Sequence, residues 1–367
     1  TKNTLAKRRG EEDFSHEVMQ AMEGCLACKA CAGQCPVKVD VPSFRSRFLQ
    51  LYHSRYLRPA KDYIVGNIER TAPWLAKAPT LVNFVLKRRV TAAVLQKTVG
   101  YVDTPLLSVP TLSQQIGDLY RFDLAELQQL SAEDKARTVL LVQDPFTSFY
   151  EAELVADALN LLQKLGFKPV LLPFLPNGKP QHVKGFLREF AKTAASAAQF
   201  LNQLQQLGLP MLGLDASLVL VYRDEYHKTL GDKRGDFNVQ LLHEWLVQQS
   251  LPRVNNAAEF ALLAHCTEKT NAPAATRQWE QVFERAGLKL ATQATGCCGM
   301  SGTYGHEARN RETSAAIYEQ SWARQVEAPA EQGEALATGY SCRSQVKRQS
   351  DQALRHPLQV LLEVQRR

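Results

Sequence analysis

Residues 25–36 read Cys-Leu-Ala-Cys-Lys-Ala-Cys-Ala-Gly-Gln-Cys-Pro, a C-x₂-C-x₂-C-x₃-C-P spacing that constrains this chain more than any other stretch. Thiolates three residues apart on a tight loop aim at successive corners of one cube. The run therefore fits a [4Fe–4S] cluster held by Cys25, Cys28, Cys31 and Cys35. Pro36 keeps the loop from continuing as a helix. A zinc site would pair two C-x₂-C hooks far apart in sequence. A disulfide framework belongs to small secreted chains, not to one of 367 residues with unevenly spaced cysteines. In two-cluster proteins the cysteine before the proline serves the other cluster, and this chain has no second such run. Either Cys35 closes the same cube or cysteines from elsewhere complete the arrangement.

Around the loop the pattern is helical. Residues 1–12 read as a polar lead-in. Residues 13–24 read as a short helix with Phe14, Val18 and Met22 on one face and Gly24 at its end. A new helix begins at 40–43, where Asp40, Pro42 and Ser43 suit its first turn, and it places Phe44, Phe48, Leu51 and Tyr52 together. Residues 54–100 are helical and basic: Arg55, Arg58, Lys61, Arg70, Lys77, Lys87, Arg88, Arg89 and Lys97 stand against only Asp62 and Glu69. Such a stripe could dock an acidic partner or an anionic membrane surface, but the plainer expectation is a solvated helix face. The interleaved Trp74, Leu75, Leu81, Val82, Phe84 and Val85 read as core, and no reading motif is present, which argues against nucleic acid. The helical domain is expected to span 1–110, with a linker over 111–137.

From residue 138 the texture becomes α/β. Strands are expected at 138–143, 168–172 and 218–222, with helices at 151–165 and 181–207; then strands at 260–264, 289–292 and 335–338, with helices at 274–286 and 306–324. At an offset of 121, Leu165-Gly166-Phe167-Lys168 falls on Ala286-Gly287-Leu288-Lys289, and Leu175-Pro176-Asn177-Gly178 falls on Gly296-Cys297-Cys298-Gly299. This predicts an internal duplication: a first repeat without cysteines over 138–231, a connecting helix over 232–257, and a second repeat over 258–367.

The second repeat carries the other cysteines. Cys266, Cys297, Cys298 and Cys342 each follow an expected strand, so they should meet at the carboxyl edge of one sheet, where open α/β sheets bind ligands. Gly296, Gly299, Gly302 and Gly305 allow close backbone approach and offer amides to sulfur. A lone buried cysteine is usually a small hydrophobe. That explains Cys266 or Cys342 singly, but not all four at strand ends. A vicinal disulfide at Cys297-Cys298 would be strained, and a catalytic thiolate would need His265 or His306 beside it. Metal or cluster ligation leads.

These residues carry a family resemblance. Gly296-Cys297-Cys298-Gly299, with Cys266 upstream and Cys342 downstream, resembles the cysteine-rich CCG domain of heterodisulfide reductase and glycerol-3-phosphate dehydrogenase subunits. Joined to Cys25–Pro36, the chain resembles the C-terminal Fe–S half of bacterial FAD-linked D-2-hydroxyacid oxidases, the D-2-hydroxyglutarate dehydrogenase type foremost. The resemblance implies an α-helical ferredoxin-like domain followed by a duplicated α/β CCG-type domain. It also implies electron transfer from an FAD held in a separate N-terminal half to a quinone or other carrier. The alternatives are a thiol/disulfide reductase working through Cys297 and Cys298, and an electron-transfer subunit of a glycerol-3-phosphate or glycolate dehydrogenase. Two departures stand out. Cys342-Arg343-Ser344-Gln345 keeps only the first cysteine of the usual C-x-x-C, and one ferredoxin run is present where related subunits have two.

No apolar run approaches the ~20 residues of a membrane span, and no secretory signal opens the sequence. Together with the cysteine usage this predicts a reducing, cytoplasmic location, with peripheral attachment at the inner membrane and self-association left open. Lys29, inside the loop, is expected to add positive charge and so raise the cluster potential.

Overall fold

The computed structural model describes residues 14–37, 39–254, 258–327 and 333–366. The polar lead-in expected over 1–12 lies outside them.

Two parallel sheets carry the chain from residue 138 onward. In the first, β1 (Thr138–Leu141) lies between β2 (Lys168–Leu171) and β3 (Met211–Gly213), and β4 (Val239–Leu241) extends the sheet beyond β3. In the second, β5 (Glu259–Leu263) lies between β6 (Lys289–Thr292) and β7 (Glu334–Ala337). The central strands β1 and β5 are nearly continuous apolar runs because both of their faces are covered. The first three strands of each sheet share one order, with the first strand in the middle. Their registers correspond as well: Thr138 pairs with Lys168, and Glu259 with Lys289. Gly166 and Gly287 have left-handed φ of 87° and 82°, and Gly178 and Gly299 have 82° and 87°, a region that costs glycine little.

The sheets share one core. The helix Ala152–Lys164 from the first unit packs on Pro357–Arg366 at the end of the second. Leu159, Leu162, Trp279, Phe283 and Leu358 are all fully or almost fully buried within it.

Several expected elements fall differently. The run 218–222 is helical, not a strand. Asp215 caps the helix Ala216–Arg223 by accepting the Ser217 N–H at 2.9 Å, and an unbroken apolar run carries no period to tell strand from helix. The strand of that region is β3. The long helix expected over 181–207 is split into Lys179–Val183 and Leu187–Gln205 around Gly185, where a Cβ would lie 2.6 Å from that of Leu49. The segment 306–324 opens with two 3₁₀ turns before Arg311–Ser321. Residues 111–137 are not a bare linker: they form three short helices and bury Leu112, Tyr120 and Leu127. The span 232–257 contains β4 and the short helix Leu242–Leu246 instead of one connecting helix.

In the helical layer, Val41–Arg55 begins where expected, and Asp40 caps it by accepting the Ser43 N–H at 3.0 Å. That helix buries Pro42, Ser46 and Leu49, while Phe44 and Leu51 are exposed, so the expected face is not the buried one. Trp74, Leu75, Leu81, Phe84 and Val85 are also exposed, although their composition had suggested core. Among the described residues no helix is long and apolar enough to cross a membrane.

Candidate cysteine centre

The cysteine loop leaves the helix Ser15–Glu23 through Gly24. Ala27 and Lys29, at φ 52° and 62°, are left-handed residues on either side of Cys28. Non-glycine residues rarely adopt this conformation, and here it winds the loop tightly. The Ala27 N–H donates to the Cys25 sulfur at 3.4 Å. The short helix Ala30–Gln34 follows, and Cys35 caps it with its N–H on the Cys31 carbonyl at 2.9 Å. None of the eight cysteines is in a disulfide.

The loop closes over the second sheet. Ser301 donates its hydroxyl to the Leu26 carbonyl. Gly33 sits so close to Thr270 that a Cβ would lie 3.3 Å from its methyl group. Cys266 begins a helix just past β5, with His265 as its cap, and the Gly299 N–H donates to the Cys297 sulfur at 3.4 Å. Cys266 and Cys298 neighbour Cys297 at this edge. Cys298 in turn reaches Cys342. The two sets meet: Cys28 feels the charge of Cys297, Cys25 and Cys31. Cys25, Cys266, Cys297 and Cys298 line one cavity of about 120 Å³. Among the described residues no group of three or more His, Cys, Asp or Glu is placed to hold a single metal ion.

The electrostatics around this centre are local. The neighbouring Cys266 and Cys298 thiols lower the pKa of Cys297. Hydrogen bonding to Cys297 and burial push Cys266 up. His265 is buried, and that burial lowers its pKa. Of the four glycines expected to serve sulfur, Gly299 is the one seen donating to it; Gly296 donates to Ser321 at 3.2 Å and Gly305 to the Met300 carbonyl at 2.9 Å. Gln345 stands where a second C-x-x-C cysteine would be. It is completely buried, and its amide donates to Ser314.

Lys29 finds its partners outside its own loop. Its ammonium turns away to Asp224 and, at 2.8 Å, to Glu225. Burial works against its charge, but the two carboxylates outweigh it and raise its pKa. Its charge is spent in that ion pair, which fastens the loop to the first unit.

Two carboxylates important to the assembly carried no motif. Glu69, buried in the helical layer, accepts the N–H groups of Asn177 and Gly178 at 3.0 and 2.8 Å. Burial lifts its pKa to about 7, against the pull of those amides. The turn it caps matches, in sequence, the turn that presents Cys298 and Gly299 in the second unit. Glu307 gathers Lys61 at 2.6 Å, Lys184 at 3.1 Å and Arg309 at 3.0 Å. Burial opposes its ionisation, but Lys184 and Lys61 outweigh this and bring its pKa down to about 2. In the sequence Glu69 is one of two acids in a basic stretch and Glu307 an acid after a glycine-rich turn, and only the tertiary structure shows their partners.

A cysteine loop from a helical layer, closed over the carboxyl edge of a parallel sheet that brings four more cysteines, defines a multi-thiol protein built on tandem α/β units. The chain is similar to part of several bacterial proteins named D-2-hydroxyglutarate dehydrogenase. It is 55% identical over 369 residues to the D-2-hydroxyglutarate dehydrogenase of Escherichia coli (strain K12), covering 99% of this chain and 36% of that protein. It is 52% identical over 373 residues to the protein so named from Pseudomonas putida, again over 36% of its length. For that of Haemophilus influenzae the identity is 49% over 375 residues and the share 36%. The chain thus spans about a third of the length of these curated relatives. No family model matches it. A solved structure, a hypothetical protein from Helicobacter pylori, aligns over 87% of the chain and 66% of its own, but with a TM-score of 0.37 and 12% identity it bears on no argument here.

Proposed function

We propose that this chain is the iron–sulfur, electron-transfer part of an FAD-linked D-2-hydroxyacid dehydrogenase, D-2-hydroxyglutarate being the expected substrate. The observation that carries the reading is the C-x₂-C-x₂-C-x₃-C-P loop seated against Cys266 and Cys297, in a chain about half identical to dehydrogenases of that name. The expected fold, a helical ferredoxin-like domain before a duplicated CCG-type α/β domain, is supported by the common strand order, the matching register and the left-handed glycines of the two units.

The donor set suits a cluster. The loop offers thiols at cube spacing on a backbone already wound by Ala27 and Lys29, and the second set offers thiols alone, without a carboxylate ligand that would favour a hard ion. A [4Fe–4S] group exchanges one electron at a time. Cys25, Cys28, Cys31 and Cys35 would hold it. The N–H groups of Ala27 and Gly299 ease negative charge at sulfur. All four loop cysteines are half-buried, which keeps the centre near the surface for exchange with a partner. Oxidation of a hydroxy acid to its 2-oxo acid releases two electrons and two protons. That step belongs to a flavin-bearing part outside this chain, which has no dinucleotide-binding glycine pattern after a strand. This chain then relays the electrons singly to a quinone or carrier.

The test is full-length protein purified without oxygen. Iron and acid-labile sulfide near about four per chain, with an electron paramagnetic resonance signal that appears on adding D-2-hydroxyglutarate, supports one cube at the loop. About eight irons would place a second group at Cys266, Cys297, Cys298 and Cys342. Absence of iron and sulfide would sink the reading, and turnover of disulfide substrates without iron would favour thiol chemistry at Cys297.

A further inference from the structure

The helices Pro79–Leu86 and Arg89–Thr98 contain no buried side chain. The first is nevertheless mostly apolar, Pro-Thr-Leu-Val-Asn-Phe-Val-Leu. Leu81 and Phe84 are 64% and 55% exposed, Val90 and Val94 76% and 52%, and Trp74, one helix earlier, 71%. Helices this short do not persist in water by themselves, and packing of an apolar face normally holds them. Here Asn83 is the visible tether, exchanging two hydrogen bonds with the backbone of Leu107 at 2.8 and 2.9 Å. Scattered exposed apolar residues need no explanation, but a series of them on three consecutive helices marks an interaction surface.

The charge around this face is of one sign. Between residues 71 and 102 there is no carboxylate, while Lys77, Lys87, Arg88, Arg89 and Lys97 are all exposed. Two of these cations lie over exposed aromatic rings of these helices: the Lys77 ammonium is 3.9 Å from the centre of the Trp74 ring, and the Arg88 guanidinium 4.2 Å from that of Phe84. Cations laid flat over aromatic rings make a broad surface for a protein to seat on. A membrane-lying helix instead sinks its rings and lifts its cations to the headgroups. The curated relatives carry nearly two-thirds of their length beyond the region this chain matches, so a partner of suitable size belongs to the same family.

We propose that the face formed by Trp74, Leu81, Phe84, Val90 and Val94 is where the remaining polypeptide of the full-length dehydrogenase docks, through an apolar surface edged with carboxylates. The proposal rests on reading the chain as part of that longer protein. It is tested on full-length protein carrying the photo-cross-linker benzoylphenylalanine at Leu81 or Val90, both exposed enough to accept it. Irradiation and peptide mapping should join these positions to peptides outside the 367-residue segment. Phe84→Asp combined with Val94→Asp should abolish the link made from Leu81 while iron per chain stays unchanged. Links to the same segment of a second copy, links to lipid, or no peptide link at all would overturn the docking. Iron measured on the same samples keeps the two readings apart, because its absence removes the cluster assignment and leaves the cross-link map as it is.

Discussion

Cys28 sits between left-handed Ala27 and Lys29 and faces both its own loop and Cys297, so it is the thiol most exposed to a test. Cys28→Ser replaces a thiolate with a poor iron ligand, and because metal binding and folding are coupled it should also loosen the flanking helices. The expected outcome is loss of cube iron and of the resonance signal; unchanged iron and spectrum would refute the ligand assignment. Glu307 is the second residue-scale case. Its pKa is lowered in the folded state from an ordinary 4.5 to about 2, so the stability it contributes is present above pH 4.5 and lost as pH falls through about 2. That contribution is on the order of 3 kcal/mol. Glu307→Gln should therefore lower the denaturation midpoint at pH 7 and flatten the acid limb of the stability profile between about pH 4.5 and 2. Urea titrations at several pH values would show it, and parallel wild-type and variant profiles would contradict it.

Among the elements, the turn before the helix Lys179–Val183 shows how one carboxylate can seat a layer. Glu69 takes both the Asn177 and Gly178 N–H groups, and among the described residues no other hydrogen-bond acceptor is seen for these two donors. Glu69→Ala leaves two buried amides unmet, at a cost on the order of 2–4 kcal/mol. Glu69→Gln keeps one acceptor oxygen and should lose roughly half as much. Equal losses in chemical denaturation would show that Glu69 acts by packing alone. The elements that sequence misplaced share a cause. The run 218–222 is apolar at every position, so periodicity cannot choose helix or strand, and the choice falls to Asp215 at its cap. The split near Gly185 is dictated by Leu49, which arrives from more than a hundred residues away. Trp74, Phe84 and their neighbours looked like core because composition reports how apolar a side chain is and nothing about what covers it.

At the scale of the molecule, the two α/β units are not independent, because Pro357–Arg366 at the end of the second packs on Ala152–Lys164 of the first. Leu358, Val360, Leu361 and Leu362 are at most 3% exposed there. Thermal unfolding followed by circular dichroism should give a single transition, and truncation after residue 355 should destabilise both units together; two separated transitions in the intact chain would show autonomous units. The sequence alone determined the chemistry and the periodic parts. Thiol spacing marked the cysteine loop, Pro42 and Ser43 marked a helix start, and the repeat of glycine and lysine at an offset of 121 marked the correspondence between units. Each is written in the order and spacing of the residues themselves. Tertiary structure alone decided that the loop closes on Cys297, that Lys29 is spent on Asp224 and Glu225, and that Glu69 and Glu307 pin the layers together. Each joins residues more than a hundred positions apart, and their partners are fixed only when burial makes an unmet charge or amide too costly to leave.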